Sequence, residues 1–181
     1  MLPLDDPRWA ALNHRNWSDG QAGAPDAPFI PDELRYLLDH PTDRERFSDM
    51  WPYLCSEDTA WPASYAAVPY LVTIARSLPL AERDDYLYVV GFVAMCSGEL
   101  GSTTRGLPDD IVDAYRQALP EALTLLAEVL GAVKHDQTDT RYLLAAIAAL
   151  KGHGDYAEIL NRLDVHEECQ SCGEPMLELP G

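Results

Sequence analysis

The residues best suited to chemistry lie near the C-terminal end of the chain, in the stretch HEECQSCGEP, residues 166–175. His166, Cys169 and Cys172 follow one another with two residues between each pair, so all three could reach a single Zn²⁺. Gly173 favours a knuckle in which backbone amides point at the thiolates. Structural zinc takes four ligands, however, and the sequence has no second CxxC and no HxxxH motif.

Three interpretations of this stretch remain open. A zinc site would need a fourth ligand from His153, from Cys55 or Cys96, or from another chain. A thioredoxin-like redox role is the second, although CxxC in such proteins opens a helix within a βαβ unit and this sequence supplies no such strands. The third is a reduced, metal-free hairpin. No cofactor is certain, and zinc is the metal that thiolate and imidazole ligands would favour.

The rest of the sequence has no constellation typical of an enzyme. The motifs GxSxG, HExxH and GxxxxGK[ST] are absent. The glycines between Gly98 and Gly106 have no predicted strand before them and no lysine after them, which is typical of a loop. Asp109 and Asp110 follow Pro108 at a predicted helix start, where the helix dipole stabilises negative charge. We therefore predict no catalytic residues and no enzyme.

Charge sets the kind of partner to expect. Thirty acidic residues face thirteen basic ones, giving a formal net charge of -17. Such a charge repels phosphate backbones, so we expect no direct binding to nucleic acid, and it attracts a basic protein.

No window holds the ~18 uninterrupted apolar residues that a membrane span needs, and the acidic start MLPLDDPRW is unlike a secretory signal. We expect a cytoplasmic protein that does not enter a membrane.

Most of the chain has the apolar periodicity of α-helices, and these predicted helices must position the candidate residues. Apolar residues recur at spacings of three and four from Pro108 to Val133, and Pro120 within this stripe predicts a kink rather than a stop because the stripe stays in phase. A second stripe contains Pro69 and predicts the same. KHDQTDT, with His135, is typical of a capped turn in which Thr138 or Asp139 is the N-cap. Two further predicted helices are short and lie near Arg8–Leu12 and Pro31–His40. A third begins at a Thr42/Glu45 capping box and runs toward Leu54. The remaining predicted helices cover Ala63–Ser77, Leu80–Gly98, Thr138–Leu150 and Asp155–Leu163.

These elements predict an all-α architecture of about eight helices in successive antiparallel pairs, at the spacing of helical solenoid repeats of ~40 residues. The glycine-bearing turn 151–154 is short enough to make the last two helices antiparallel. Residues 1–163 form the predicted helical repeat domain. Residues 164–181 form a predicted tail, with a CxxC knuckle and a short hairpin packed on the last helix.

An acidic turn flanked by aromatic residues is the candidate binding surface. Carboxylates beside aromatic rings are typical of an interface that grips Arg or Lys side chains by charge and by ring faces. Alternatively, the rings fill gaps between the first helical layers. The residues are Glu57 and Asp58 in the turn, with Trp51, Tyr53, Trp61 and Tyr65 around it.

Three segments resemble a family of bacterial HEAT-like helical repeat proteins of uncertain biochemistry: LDDPRWAAL (4–12), LCSEDTAWPASYAAVPYLVTIA (54–75) and the terminal CxxCGEPMLEL. The resemblance implies a HEAT-like α-α superhelix used for protein contact, and some related proteins are encoded beside polymorphic toxins as immunity proteins. The chain departs from the family pattern at residues 56–58, where Ser-Glu-Asp replaces a His-Gln-Gly turn, and in NHRNWSDG after Leu12. Altered turns fit a partner-specific adaptor.

The sequence therefore predicts a non-enzymatic protein-binding module, an acidic immunity-type or regulatory partner that neutralises a basic protein such as a toxin. The alternative is a zinc-binding metalloprotein or small enzyme centred on His166, Cys169 and Cys172. The sequence indicates neither the oligomeric state nor the face that would be used.

Overall fold

The computed structural model describes residues 1–12, 28–56, 59–97, 106–132, 134, 136–162, 164–168 and 175–178. This part of the chain is all-α apart from two short pairs of strands, as the sequence predicted. The eight helices described are α1 (Trp9–Leu12), α2 (Ile30–Asp39), α3 (Arg44–Met50), α4 (Pro62–Ser77), α5 (Asp84–Cys96), α6 (Asp109–Ala132), α7 (Gln137–Leu150) and α8 (Gly154–Arg162). The antiparallel strand pairs are β1 (Cys55–Ser56) with β2 (Thr59–Ala60), and β3 (Asp164–Glu168) with β4 (Pro175–Glu178).

Helices pack both on their neighbours in sequence and on the next helix but one. The consecutive pairs α4–α5, α6–α7 and α7–α8 are in contact, and so are α2 with α4, α4 with α6, and α5 with α7. In the α5–α7 pair, Tyr88 lies against Tyr142 and Gly91 against Ala146. From the first contact to the second, the residue number increases in both helices. Helices α5 and α7 therefore run parallel.

The buried stripes lie where helical periodicity placed them. A single cluster of buried apolar side chains extends from Leu2 to Ala146. Helix α5 is apolar on nearly every side and touches α4, α6, α7 and α8, so it lies in the middle of the packed helices. Most of the predicted inward residues of α4 and α6 are buried, among them Val68, Leu71, Ile111 and Leu126. Ala118, Leu119 and Leu130 of α6 are half-buried.

Several element boundaries differ from the predictions. Helix α3 is capped by Asp43, whose Oδ1 accepts from the Arg46 amide at 3.0 Å, and not by Thr42. It ends at Met50 because the chain turns into a 3₁₀ helix at Trp51–Tyr53, which contains a proline. A second 3₁₀ helix, Leu80–Glu82, precedes α5, so the helix predicted over 80–98 is shorter at both described ends.

The N-cap of α7 is Asp136, whose carboxylate accepts from the Asp139 amide at 2.8 Å. The predicted caps Thr138 and Asp139 are therefore wrong by two or three positions. Asp136 satisfies one of the first amides of the helix, and Asp139 adds negative charge to the first turn. His135 lies outside the described residues.

Both internal prolines lie within continuous helices. Helix α4 continues through Pro69 and α6 through Pro120, so the prediction that neither proline ends its helix is confirmed. In each case a threonine four residues later donates its hydroxyl to the proline carbonyl, Thr73 at 2.8 Å and Thr124 at 3.0 Å. Helices α4 and α6 thus share the same local modification of their backbone hydrogen bonding.

Gly152 completes the turn between α7 and α8. Its φ of +79° is in the left-handed region. Its amide donates to the Ala149 carbonyl and the His153 amide donates to the Ala148 carbonyl, and these two bonds form a Schellman motif.

We expect Gly152→Ala to lower the free energy of unfolding by about 1 kcal/mol, because an L side chain disfavours this conformation. Gly154→Ala is the matched control, since Gly154 has no positive φ and an added Cβ would meet nothing within 4 Å. Urea unfolding of both variants measures the difference, and equal losses would contradict the role given to Gly152.

At the C-terminal end, Asp164 of β3 lies opposite Glu178 of β4, with an irregularity between Asp164 and Glu167. His166 belongs to β3, while Cys169 and Cys172 lie outside the described residues. The division into a helical domain and a CxxC tail, and the tail's place on the last helix, therefore stay predictions.

Candidate functional site

The predicted binding surface is built around the β1–β2 hairpin. Cys55 pairs with Ala60 and Ser56 with Thr59. Glu57 and Asp58, the two residues that join the strands, lie outside the described residues. The hairpin is held to the start of α4 by the Leu54 carbonyl, which accepts from the Trp61 amide at 2.9 Å and from the buried Ser64 hydroxyl. Helix α4 thus positions the hairpin.

We expect Ser64→Ala to loosen this attachment by about 1 kcal/mol, because it removes one of the two donors to a fully buried carbonyl. Amide hydrogen exchange should become faster in Cys55, Ser56, Thr59 and Ala60. Exchange in the middle of α6 is the internal control. If the whole chain exchanged faster by the same factor, Ser64 would stabilise the domain in general rather than the hairpin.

The four predicted aromatic residues do not all reach the surface. Trp51, Tyr53 and Trp61 are each half-buried, with Trp51 and Tyr53 packed against the core. Tyr65 is fully buried and its ring lies edge-on to Tyr115, 5.1 Å between centroids. Tyr65 therefore fills the space between layers, and its predicted place in the binding surface is wrong.

A row of four rings extends the predicted surface along α5 and α7. The Trp51 ring meets Phe92 edge-on at 6.3 Å between centroids, Phe92 lies 6.1 Å from Tyr88, and Tyr88 lies 5.0 Å from Tyr142. We call Trp51, Phe92, Tyr88 and Tyr142 the aromatic row. Three of its members keep part of their surface in solvent, whereas Phe92 is 9% exposed.

An arginine already lies on one ring of this row. The guanidinium of Arg141 is 4.5 Å from the centroid of the Tyr142 ring, within the range of a cation–π interaction. The row can therefore hold a guanidinium on a ring face in this geometry.

Carboxylates surround the Tyr88–Tyr142 end of the aromatic row. Asp84, Asp85 and Asp139 border a hollow of about 70 Å³ together with the two tyrosines and Leu143. Burial raises the pKa of Asp85, the neighbouring Asp84 and Asp139 raise it further, and Arg44 opposes them. Arg44 lies 3.4 Å from Asp84 and 3.2 Å from Asp85. Three carboxylates against two cations, Arg44 and the Arg141 that lies on Tyr142, leave this end of the row with a small excess of negative charge.

Three hydroxyls are buried between α4, α5 and α6. The Ser97 hydroxyl lies 2.6 Å from the Val93 carbonyl, to which it donates, 3.2 Å from the Tyr65 hydroxyl and 3.3 Å from that of Tyr115. Burial raises the pKa of Tyr115 to about 12, and the hydrogen bond with Ser97 opposes this shift. Because all three side chains are buried and their hydroxyls lie within hydrogen-bonding distance of one another, these groups are placed to specify packing.

The described residues contain no group of three or more His, Cys, Asp or Glu side chains arranged to hold a metal ion. Cys55 is fully buried and Cys96 is half-buried at the end of α5. Burial raises the pKa of the Cys55 thiol, which disfavours the thiolate that a metal needs. The zinc site at His166, Cys169 and Cys172 stays a prediction.

The row could not be read from the sequence as a surface. Tyr88, Phe92 and Cys96 recur at intervals of four on α5, which places them on one face, but α5 is so apolar that periodicity does not separate its outer face from its inner ones. Tyr142 comes from another helix. Such a contact between distant segments leaves no local signal.

No described helix is both long and apolar enough to cross a membrane. Comparisons with protein-family models, with curated proteins and with solved structures found no match to this chain.

Proposed function

We propose that this chain is a non-enzymatic, HEAT-like protein-binding module, an immunity-type or regulatory partner that neutralises a basic protein such as a toxin. The observation that carries the proposal is the aromatic row, which combines partly exposed rings with adjacent carboxylates and already seats the chain's own Arg141 on Tyr142. Aromatic anchors beside carboxylates favour Arg and Lys side chains of a partner.

The net charge of -17 supports a basic partner in particular. Opposite charges on two proteins accelerate their encounter by electrostatic steering, and this acceleration falls with ionic strength. An acidic inhibitor of a basic enzyme would benefit from both the speed and the selectivity.

The packing of the helices supports the superhelical part of the proposal. In an α-solenoid, equivalent helices of successive repeats lie parallel in one layer. Arg44 of α3 pairs with Asp84 of α5, 40 positions further along, and α5 in turn lies parallel to α7. In the other layer, Arg76 of α4 pairs with Glu121 of α6, 45 positions further along. These separations are close to those of HEAT-like repeats.

The test is binding of the purified chain to the basic products of neighbouring genes at low and at high salt. We expect binding that weakens as salt is added. Tyr142→Ala should weaken it by about tenfold or more, because an aromatic side chain at the centre of an interface contributes on the order of 1–2 kcal/mol.

Tyr36→Ala is the matched control. Tyr36 is a 36% exposed tyrosine on α2 that also carries an arginine, with Arg46 5.0 Å from its ring centroid, but it is not a member of the aromatic row. It should change the affinity by less than about twofold. The proposal fails if no neighbouring product binds in a salt-sensitive manner, and the aromatic row is not the interface if both variants lose affinity equally.

A further inference from the structure

A cleft of about 500 Å³ lies where α5 and α7 end and α8 begins. Its apolar part is formed by Ala94 and Met95 of α5 and Ala149 of α7. Its polar part comes mainly from the α7–α8 turn and α8. These polar and charged residues are Cys96, His153, Asp155, Tyr156, Glu158 and Arg162.

The electrostatics of the cleft favour a cation. Helices α5 and α7 both present their C-terminal ends to it, and each such end carries a partial negative charge. The N-terminal end of α8 is positive, but Asp155 stands in its first turn and offsets it. Glu158 adds a second carboxylate, which pairs with Arg162 at 3.0 Å, where both side chains are about half exposed. A surface ion pair of this kind is weak enough to exchange partners.

The cleft adjoins the aromatic row. Cys96, which lines the cleft, is four residues after Phe92 on the same face of α5. Tyr88 of the row donates its hydroxyl to Asn161 Oδ1 of α8 at 3.3 Å. A partner lying along the row would therefore reach the cleft without leaving α5.

We propose that this cleft receives a lysine or arginine side chain of the basic partner, an inference that rests on the proposed function. The aliphatic stem of that side chain lies against Met95 and Ala149, and its charged head lies beside Asp155 and Glu158. Tyr156, whose side chain is 66% exposed at the rim, covers the stem. Long cationic side chains suit such a site, because they bury their methylene groups and keep the charge at the polar end.

The direct test is a titration of the isotope-labelled full chain, followed by two-dimensional NMR, with N-acetyl-lysine methylamide and N-acetyl-arginine methylamide. N-acetyl-norleucine methylamide is the control, because it has a similar stem without the charge. We expect the two cations to shift the amide signals of residues 95–96 and 152–156 in a saturable manner, and norleucine to leave them unchanged. Equal shifts with all three compounds, or none with the cations, would overturn the proposal.

Asp155→Asn together with Glu158→Gln should weaken binding of the capped lysine by about fivefold, since two partly exposed charges each contribute a modest amount. Asp39→Asn together with Glu45→Gln removes the same charge from exposed positions on α2 and α3, and should have no effect. If both double variants lost affinity equally, net charge rather than the cleft would select the cation.

The same variants separate this inference from the proposed function. A neighbouring gene product that binds in a salt-sensitive manner, and binds the Asp155/Glu158 variant equally well, would contradict the cleft and leave the proposed function intact. If the capped lysine binds but no neighbouring gene product does, the cation selectivity of the cleft is supported and the proposed function is contradicted.

Discussion

Gly91→Ala is expected to lower the free energy of unfolding by about 2 kcal/mol or more, with a fall in Tm of about 5 °C or more. A Cβ built on Gly91 would lie 2.1 Å from Ala146 Cβ and 2.5 Å from Ala146 Cα. The second of these atoms belongs to the backbone of α7, so the clash is relieved only by separating the two helices. This cost outweighs the gain of up to about 1 kcal/mol that alanine brings to a helix.

A matched control is available in α6. Gly131 is also helical and exposed, and an added Cβ there would meet nothing within 4 Å. Gly131→Ala should therefore be neutral or stabilising by up to about 1 kcal/mol. If Gly91→Ala behaved like Gly131→Ala in urea unfolding, the close approach of α5 and α7 would be wrong.

The pair can be probed further with Ala146→Gly. This change removes the Cβ that Gly91→Ala would meet first, so the double variant should be more stable than the sum of the two single losses predicts. Rescue should be incomplete, because the Cα of residue 146 remains. Strict additivity would contradict direct contact between the two positions.

The second large effect is expected at alkaline pH. Burial raises the pKa of Tyr86 and of Tyr115 to about 12, against about 10 in an unfolded chain, and both side chains are 1% exposed. Because the folded pKa is the higher one, the folded state holds the phenolic protons more tightly than the unfolded state does. The stabilisation is complete below pH about 10 and is lost as pH rises toward 12. Each tyrosine accounts for roughly 2–3 kcal/mol.

Urea unfolding between pH about 9 and 12 measures this loss, and tyrosinate absorbance should rise together with unfolding. Tyr115→Phe keeps the ring and removes the ionisable group. The slope of the free energy of unfolding against pH should therefore fall by the amount that corresponds to about one proton. Tyr156→Phe makes the same chemical change on a ring that is 66% exposed and meets water in both states, so it should leave the slope unaltered. Tyrosinate absorbance that rose fully before unfolding would contradict the burial argument.

Periodicity in the sequence was sufficient for the class of fold and for most of the core. The stripes of α4 and α6 remained in phase across Pro69 and Pro120, and the glycine at 152 marked the last turn. These features depend on residues a few positions apart, so they can be recognised in the sequence itself.

The features that sequence reasoning missed depend on contacts between distant segments. The β1–β2 hairpin has strands of two residues each, too short for any alternating pattern, and is fixed by the Leu54 carbonyl and α4. The nearness of Tyr65 to Trp61 in sequence suggests a place on the same surface, yet its ring packs on Tyr115 of α6. Several polar residues in KHDQTDT could cap α7, and only the backbone geometry at Asp136 selects one of them.

The paired prolines have a mechanical consequence. Pro69 deprives the Tyr65 carbonyl of its helical donor, and Pro120 does the same to the Arg116 carbonyl. Tyr65 lies against Tyr115 and Arg76 against Glu121, so α4 and α6 run in the same direction and the two weakened turns lie close together. We expect the turns before Pro69 and Pro120 to be the most easily bent parts of α4 and α6. Any bending of these two helices would then concentrate there as a hinge, instead of being spread evenly along their length.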